Sequence, residues 1–142
     1  MSDAAPSMHD FNAEIIAEFR ANHGVVGGPF EGAPMILITH TGAKTGTART
    51  TPLVHSRDGE RYVIVASKGG APTNPAWYHN LKANPRVTVE VGDETFEAEA
   101  TVYDHGPERD RLFEQQAALM PNFKEYEQHT DRVIPVAALT RV

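Results

Sequence analysis

The sequence predicts a mainly β protein with flanking helices, an α+β chain whose strands close into an antiparallel barrel or sheet. Two observations carry this. About six short runs are apolar, or alternate apolar with polar side chains, at residues 35–38, 49–56, 61–67, 87–91, 96–102 and 133–139. Tight turns such as Asp58-Gly59 and Gly92-Asp93 join most neighbours, which therefore pair as hairpins. A doubly wound fold needs a helix after each strand and a glycine fingerprint after the first, and this chain has neither.

Taken in order, Phe11, Ile15, Ile16 and Phe19 fall on one helical stripe that Asn22-His23-Gly24 stops, so an amphipathic helix follows a tail at residues 1–10. A Gly/Pro-rich connector over 27–34 leads into the apolar strand at 35–38 and the polar turn 40–47. The 49–56 and 61–67 hairpin centres on Tyr62-Val63-Ile64-Val65, a run of β-formers. Asn74 reads as an N-cap with Pro75 at the first helical position, and Asn84-Pro85 ends that short helix, which carries Trp77 and Leu81 on one face. Val87, Val89 and Val91 alternate with Thr88 and Glu90, and Phe96, Ala98, Ala100 and Val102 with Glu97, Glu99 and Thr101, as half-buried strands do. Pro107 opens a longer helix with Leu112, Phe113, Gln116 and Met120 along one side, and Pro121 ends it before the last strand. With 142 residues, 40% of them hydrophobic, the chain suits one domain spanning 1–142.

Composition excludes several classes. No apolar run spans a bilayer and residues 1–10 lack the layout of a secretion signal, so the expected location is the cytoplasm. Without cysteine there are no disulfides, thiolate nucleophiles or cysteine-bound clusters, which leaves redox chemistry to a bound cofactor. The histidines are scattered without ligand spacing, so no metal is expected, and no nucleophile elbow appears. A net charge of −6 argues against a nucleic-acid partner. Yet Lys44, Arg49, Arg57, Arg61, Lys68, Lys82 and Arg86, against Asp58 and Glu60, make one stretch +5 while the remainder is −11. That stretch is expected to meet an anion, although a solvated basic face has the same composition.

Two segments have residue types that hold anions. Thr41-Gly42-Ala43-Lys44-Thr45-Gly46-Thr47-Ala48-Arg49 combines two glycines, three threonines and two cations in a turn between strands, although it is not a Walker loop and many solvated hairpin turns look similar. In the second, a strand end delivers Ser67 and Lys68 into Gly69-Gly70, and the loop opens a helix whose positive end suits an anion or a carbonyl. There Trp77 and Tyr78 either wall a flat ring or belong to the core.

Together these segments resemble the deazaflavin-dependent nitroreductase family of actinobacteria. The resemblance rests on Gly42-Ala43-Lys44-Thr45-Gly46 with Arg49 and Pro52-Leu53, then Ser67-Lys68-Gly69-Gly70-Ala71 and Asn74-Pro75-Ala76-Trp77-Tyr78-His79-Asn80-Leu81-Lys82-Ala83-Asn84-Pro85, in order over about residues 11–136. It implies a split antiparallel β-barrel that binds coenzyme F-420, a deazaflavin whose tail carries a phosphate and a polyglutamate. By resemblance, Lys44, Thr45, Arg49, Thr50, Thr51, Pro52, Leu53 and Val54 line the tail and ring groove. Val65, Ala66, Ser67, Lys68, Ala76, Trp77, Tyr78, His79 and Asn80 close it. The implied activity is hydride transfer from the reduced deazaflavin to a small organic acceptor such as a quinone, an activated alkene or a nitroaromatic.

The chain departs from the family near its C-terminus. Members that reduce nitroimidazole prodrugs resemble Tyr-Pro-x-Tyr-x-x-Tyr over the ring, whereas this chain reads Met120-Pro121-Asn122-Phe123-Lys124-Glu125-Tyr126. Met120 and Phe123 are thus substrate-side packing residues, and Tyr126 keeps the one phenol able to give an acceptor oxygen a proton. Two other functions share the anion-site features: a non-catalytic deazaflavin carrier and an FMN-dependent enzyme of the related split-barrel group. The expected assembly is a monomer or a homodimer, drawn to a membrane surface only if the acceptor is a lipid quinone.

Overall fold

The computed structural model describes residues 8–28, 32–67, 74–128, 130 and 133–142. Along the chain run α1 (Met8–Ala21), β1 (Met35–Thr41), β2 (Ala48–Val54), β3 (Ser56–Asp58), β4 (Arg61–Val65), α2 (Ala76–Ala83), β5 (Arg86–Val91), β6 (Glu94–Tyr103), α3 (Pro107–Leu119), α4 (Asn122–Gln128) and β7 (Val136–Arg141). The strands form one antiparallel sheet in the order β2-β1-β5-β6-β7-β4-β3. Its two edge strands are consecutive in the chain, separated by His55 alone, so the sheet curls until its edges approach. β6 enables the split. Its first part pairs with β5 from Glu94 to Glu99, and its second with β7 from Ala98 to Tyr103.

Burial follows from the sequence pattern. Ile36, Ile38, Ile64, Val87, Val89, Ala98, Ala137 and Leu139 point into the barrel, where Trp77, Tyr78 and Leu81 of α2 join them. Alternate residues of β1, Met35 and Leu37, meet Ile15 and Phe19 of α1. Those of β4 and β7, Val63, Val65, Val136 and Ala138, meet Leu112, Phe113 and Phe123 of α3 and α4. Strands covered on both faces therefore read as unbroken apolar runs, while β5 and β6, with one wetter face, alternate. Among the described residues no helix is long and apolar enough to cross a membrane.

Several boundaries differ from those expected. The single strand 49–56 breaks at His55, whose N–H donates to Pro34 O at 3.0 Å, so the chain crosses from one sheet edge to the other there. Pro75, not Asn74, is the N-cap of α2, with extended backbone and no side-chain cap bond. Pro121 ends α3 but also precedes α4, an unpredicted helix. The last strand starts at Val136 because Pro135 has no N–H for the ladder; Pro135 O accepts from Ala66 N at 2.9 Å. Helix α1 begins at Met8, inside the expected tail, and residues 1–7 lie outside the described residues.

The end of α1 is stapled to the β5–β6 turn. Arg20 donates twice to Glu90, at 3.0 and 2.8 Å, and His23 pairs with Asp93 at 2.6 Å. Gly24, at φ +90°, packs so closely that a Cβ there would lie 2.7 Å from Gly92 Cα. Gly24→Ala is therefore expected to cost about 1–3 kcal/mol, a melting shift on the order of 3–10 °C. Gly28→Ala, at φ +59° in open space, should cost less because it adds strain without a clash. Equal melting temperatures for the two variants would refute the close packing as the cause.

Candidate functional site

A groove of about 440 Å³ opens where the β1–β2 turn faces α2. The turn closes on itself: Gly42 N–H donates to Thr47 O and Gly46 N–H to Gly42 O, both at 2.9 Å, with Gly46 at φ +71°. Ala43 N–H donates to Asn80 Oδ1 at 2.8 Å and Thr47 N–H to Thr45 Oγ1 at 3.2 Å. The N–H groups of Lys44 and Thr45 have no acceptor among the described residues. Across the groove stand Ala76, His79 and Asn80, whose i, i+3, i+4 spacing puts them on one face of α2. Arg49, at the start of β2, completes the wall.

The charges on this groove differ from most others in the structure. Arg20, Arg61, Lys82, Arg109, Arg111, Lys124 and Arg141 all pair with carboxylates. Lys44 and Arg49 pair with none among the described residues, and both are exposed. The +5 stretch is thus less concentrated than its composition implied. Arg57 lies over the Tyr62 ring at 4.2 Å, Arg61 binds Asp58, and Lys82 bonds Asp104 at 2.9 Å. Arg111 and Arg61 together hold the Asp58 carboxyl well below the usual carboxylate range, which clips the β3–β4 hairpin to α3. These cations are structural, and the positive face that remains on the groove is Lys44 with Arg49.

Behind the groove lies a buried polar chain that sequence reasoning missed. His40 Nδ1 is 2.9 Å from Asn80 Nδ2, and His40 Nε2 is 2.9 Å from Thr51 Oγ1. His40 is 2% exposed; burial, with a smaller contribution from the Arg49 charge, pushes its pKa down to about 4, so the ring is neutral at pH 7. The available signal was strand period: His40 continues the inward row of Ile36 and Ile38.

Of the residues expected at the site, Lys44, Thr45, Arg49, Ala76, His79 and Asn80 are brought together on the groove. Along β2 the pleat divides the rest. Thr51 and Leu53 pair with inward Ile38 and Ile36, whereas Thr50, Pro52 and Val54 pair with Thr39, Leu37 and Met35 on the α1 side. Thr50 and Arg49 also line a second groove of about 630 Å³ beneath α1. Trp77 and Tyr78 are buried in the barrel core and do not line the first groove; Tyr78 Oη donates to Asp104. Ala66 points into the barrel, Val65 lies under α3 and α4, and Ser67 is buried. Lys68 lies outside the described residues, as do Gly69, Gly70 and Ala71. Met120, Phe123 and Tyr126 gather in the cluster of α3 and α4, with the Phe123 and Tyr126 rings edge-on at 5.5 Å, away from the groove lining.

Comparison with known proteins bears on this arrangement. Residues 13–141 match the family described as F420H(2)-dependent quinone reductase. An F420H(2)-dependent quinone reductase from Mycobacterium tuberculosis strain H37Rv is 47% identical over 128 residues, 88% of this chain and 86% of that protein. A solved structure described as an F420-H2 dependent reductase is 41% identical and covers 75% of this chain and 93% of its own, with a TM-score of 0.68. Another, described as a domain-swapped dimer, is 37% identical and covers 94% of this chain and 99% of its own, with a TM-score of 0.70. The split-barrel fold and these matches agree, and the chain belongs to the F420H(2)-dependent quinone reductase family.

Proposed function

We propose that this chain holds reduced coenzyme F-420 with its phosphate-bearing tail against Lys44 and Arg49, and that it reduces a quinone. The observation that carries the reading is the pair of groove cations without carboxylate partners among the described residues, set beside two N–H groups that find no acceptor among them. This donor set fits a polyanionic tail: the guanidinium offers a fork, the ammonium a point charge, and the amides of Lys44 and Thr45 directed donors. Ala76, His79 and Asn80 form the opposite wall, and Trp77 anchors their helix in the core. When bound, the reduced deazaflavin supplies the hydride.

On the acceptor side, Tyr126 Oη gives its proton to the reduced quinone oxygen, with Met120 and Phe123 as apolar neighbours. Support for this comes from the half-buried Tyr126 ring, held edge-on by buried Phe123. Phe123 has no hydroxyl to offer a nitro oxygen, so nitroaromatics are poorer acceptors than quinones, while activated alkenes remain within reach of the same site.

The test is a titration of the purified protein with F-420 and with FMN, followed by steady-state quinone reduction. F-420 is expected to bind and FMN not, and Tyr126→Phe should lower quinone kcat/KM at least about tenfold with F-420 affinity unchanged. Tight FMN binding overturns the cofactor assignment, binding without turnover makes the protein a carrier, and unchanged turnover in Tyr126→Phe removes Tyr126 from the mechanism.

A further inference from the structure

We propose that His40 is a positioning residue that sets the anion-binding turn, acting through Asn80 from a buried place in β1; this rests on the groove being the coenzyme's tail site. The contacts fix every proton along the path. Asn80 Nδ2 can only donate, so His40 Nδ1 presents its lone pair at 2.9 Å, and the ring proton sits on Nε2, which donates to Thr51 Oγ1 at 2.9 Å. Ala43 N–H can only donate, so Asn80 Oδ1 must face it, as it does at 2.8 Å.

Turning the Asn80 amide over would set its NH₂ against Ala43 N–H and its oxygen against the imidazole lone pair. The donor-only Ala43 N–H selects the orientation that satisfies both ends, and the imidazole, in its Nε2–H tautomer, holds the amide there by accepting from Asn80 Nδ2. The path runs from β2 through β1 and α2 into the turn, linking every element that lines the groove. Ala43 lies beside Lys44 and Thr45, whose N–H groups find no acceptor among the described residues, and Thr51 lies two residues beyond Arg49.

Stability alone does not explain a histidine here. Ile36 and Ile38 precede it on the inward row, where an aliphatic side chain would bury without the cost of desolvating an imidazole. A polar group kept in such a place directs its neighbours, in this case the amide that holds the turn.

The experiment compares wild type with His40→Asn, His40→Gln and His40→Leu. An asparagine carbonyl falls near the Nδ1 position and can accept from Asn80, whereas a glutamine amide reaches toward the Nε2 position and serves Thr51. Two quantities are read: hydrogen exchange of the Ala43 amide in the cofactor-free protein, and F-420 affinity by fluorescence titration. His40→Asn should keep Ala43 protection and wild-type affinity, while His40→Gln and His40→Leu should each speed Ala43 exchange and weaken F-420 by about tenfold. Unchanged Ala43 exchange and affinity in His40→Leu would show that His40 merely fills space and overturn the proposal. Equal loss of affinity in all three variants, in step with melting temperature, would also overturn it. Should wild type fail to bind F-420, the tail-site reading falls, and Ala43 exchange alone then decides whether His40 sets the turn.

Discussion

Reversing both groove cations, Lys44→Glu with Arg49→Glu, should weaken F-420 binding by at least about a hundredfold while leaving the fold intact. Each cation is worth about 1.5–3 kcal/mol as a charge-assisted donor to phosphate, and on an exposed turn the lower end applies because water and salt screen the interaction. Two such losses, at 1.4 kcal/mol per decade, give about two decades before repulsion is counted. Stability should change little, since neither side chain pairs with a carboxylate among the described residues. The measurement is F-420 titration at two ionic strengths alongside thermal melting. Wild-type affinity should fall with salt, and the double variant should lose most of that dependence. Unchanged affinity in a folded double variant would move the tail away from this turn.

Much of the architecture was legible because burial dictates pattern. Met35-Ile36-Leu37-Ile38 and Tyr62-Val63-Ile64-Val65 are unbroken apolar runs because helices cover their outer faces, and the Val87, Val89 row alternates because its other face is wetter. What failed depended on tertiary context. Pro121 carries both meanings of a helix-flanking proline, a stop for α3 and a lead into α4. The break at His55 has no local breaker and exists because the barrel must pass from one edge to the other. At the site, the motif Gly42 to Arg49 was readable as a cation-rich turn, and the spacing of Ala76, His79 and Asn80 put them on one helical face. The allocation of the +5 stretch was only partly readable: Asp58 and Arg61 face each other across a turn visible in the sequence, but only the folded chain brings Arg111 to Asp58 and Asp104 to Lys82. His40 escaped notice for a related reason: a histidine next to a polar turn looks solvated until the pleat shows it facing inward.

Trp77→Ala is expected to be the most damaging single substitution for stability, and the pattern of its damage distinguishes core from site. The indole is 5% exposed and packs in the barrel interior with Tyr78 and Leu81 of its own helix and residues of the surrounding strands. Removing a buried aromatic of this size costs about 3–5 kcal/mol in lost transfer energy and cavity, a fall in melting temperature on the order of 10 °C or more for a domain of this length. The helix it anchors is short, eight residues from Ala76 to Ala83, without a side-chain N-cap bond, so packing rather than intrinsic helicity holds it in place. The same helix presents His79 and Asn80 to the groove and Asn80 to the turn. Well below the melting temperature, F-420 affinity should therefore fall only modestly, through a loosened α2, and Trp77→Phe should recover most of the stability with near wild-type affinity. Thermal melting and F-420 titration of the two variants check this. A Trp77→Ala protein that melts like wild type but no longer binds F-420 would place the indole against the coenzyme instead of in the core, and the division of α2 into a core face and a groove face would have to be redrawn.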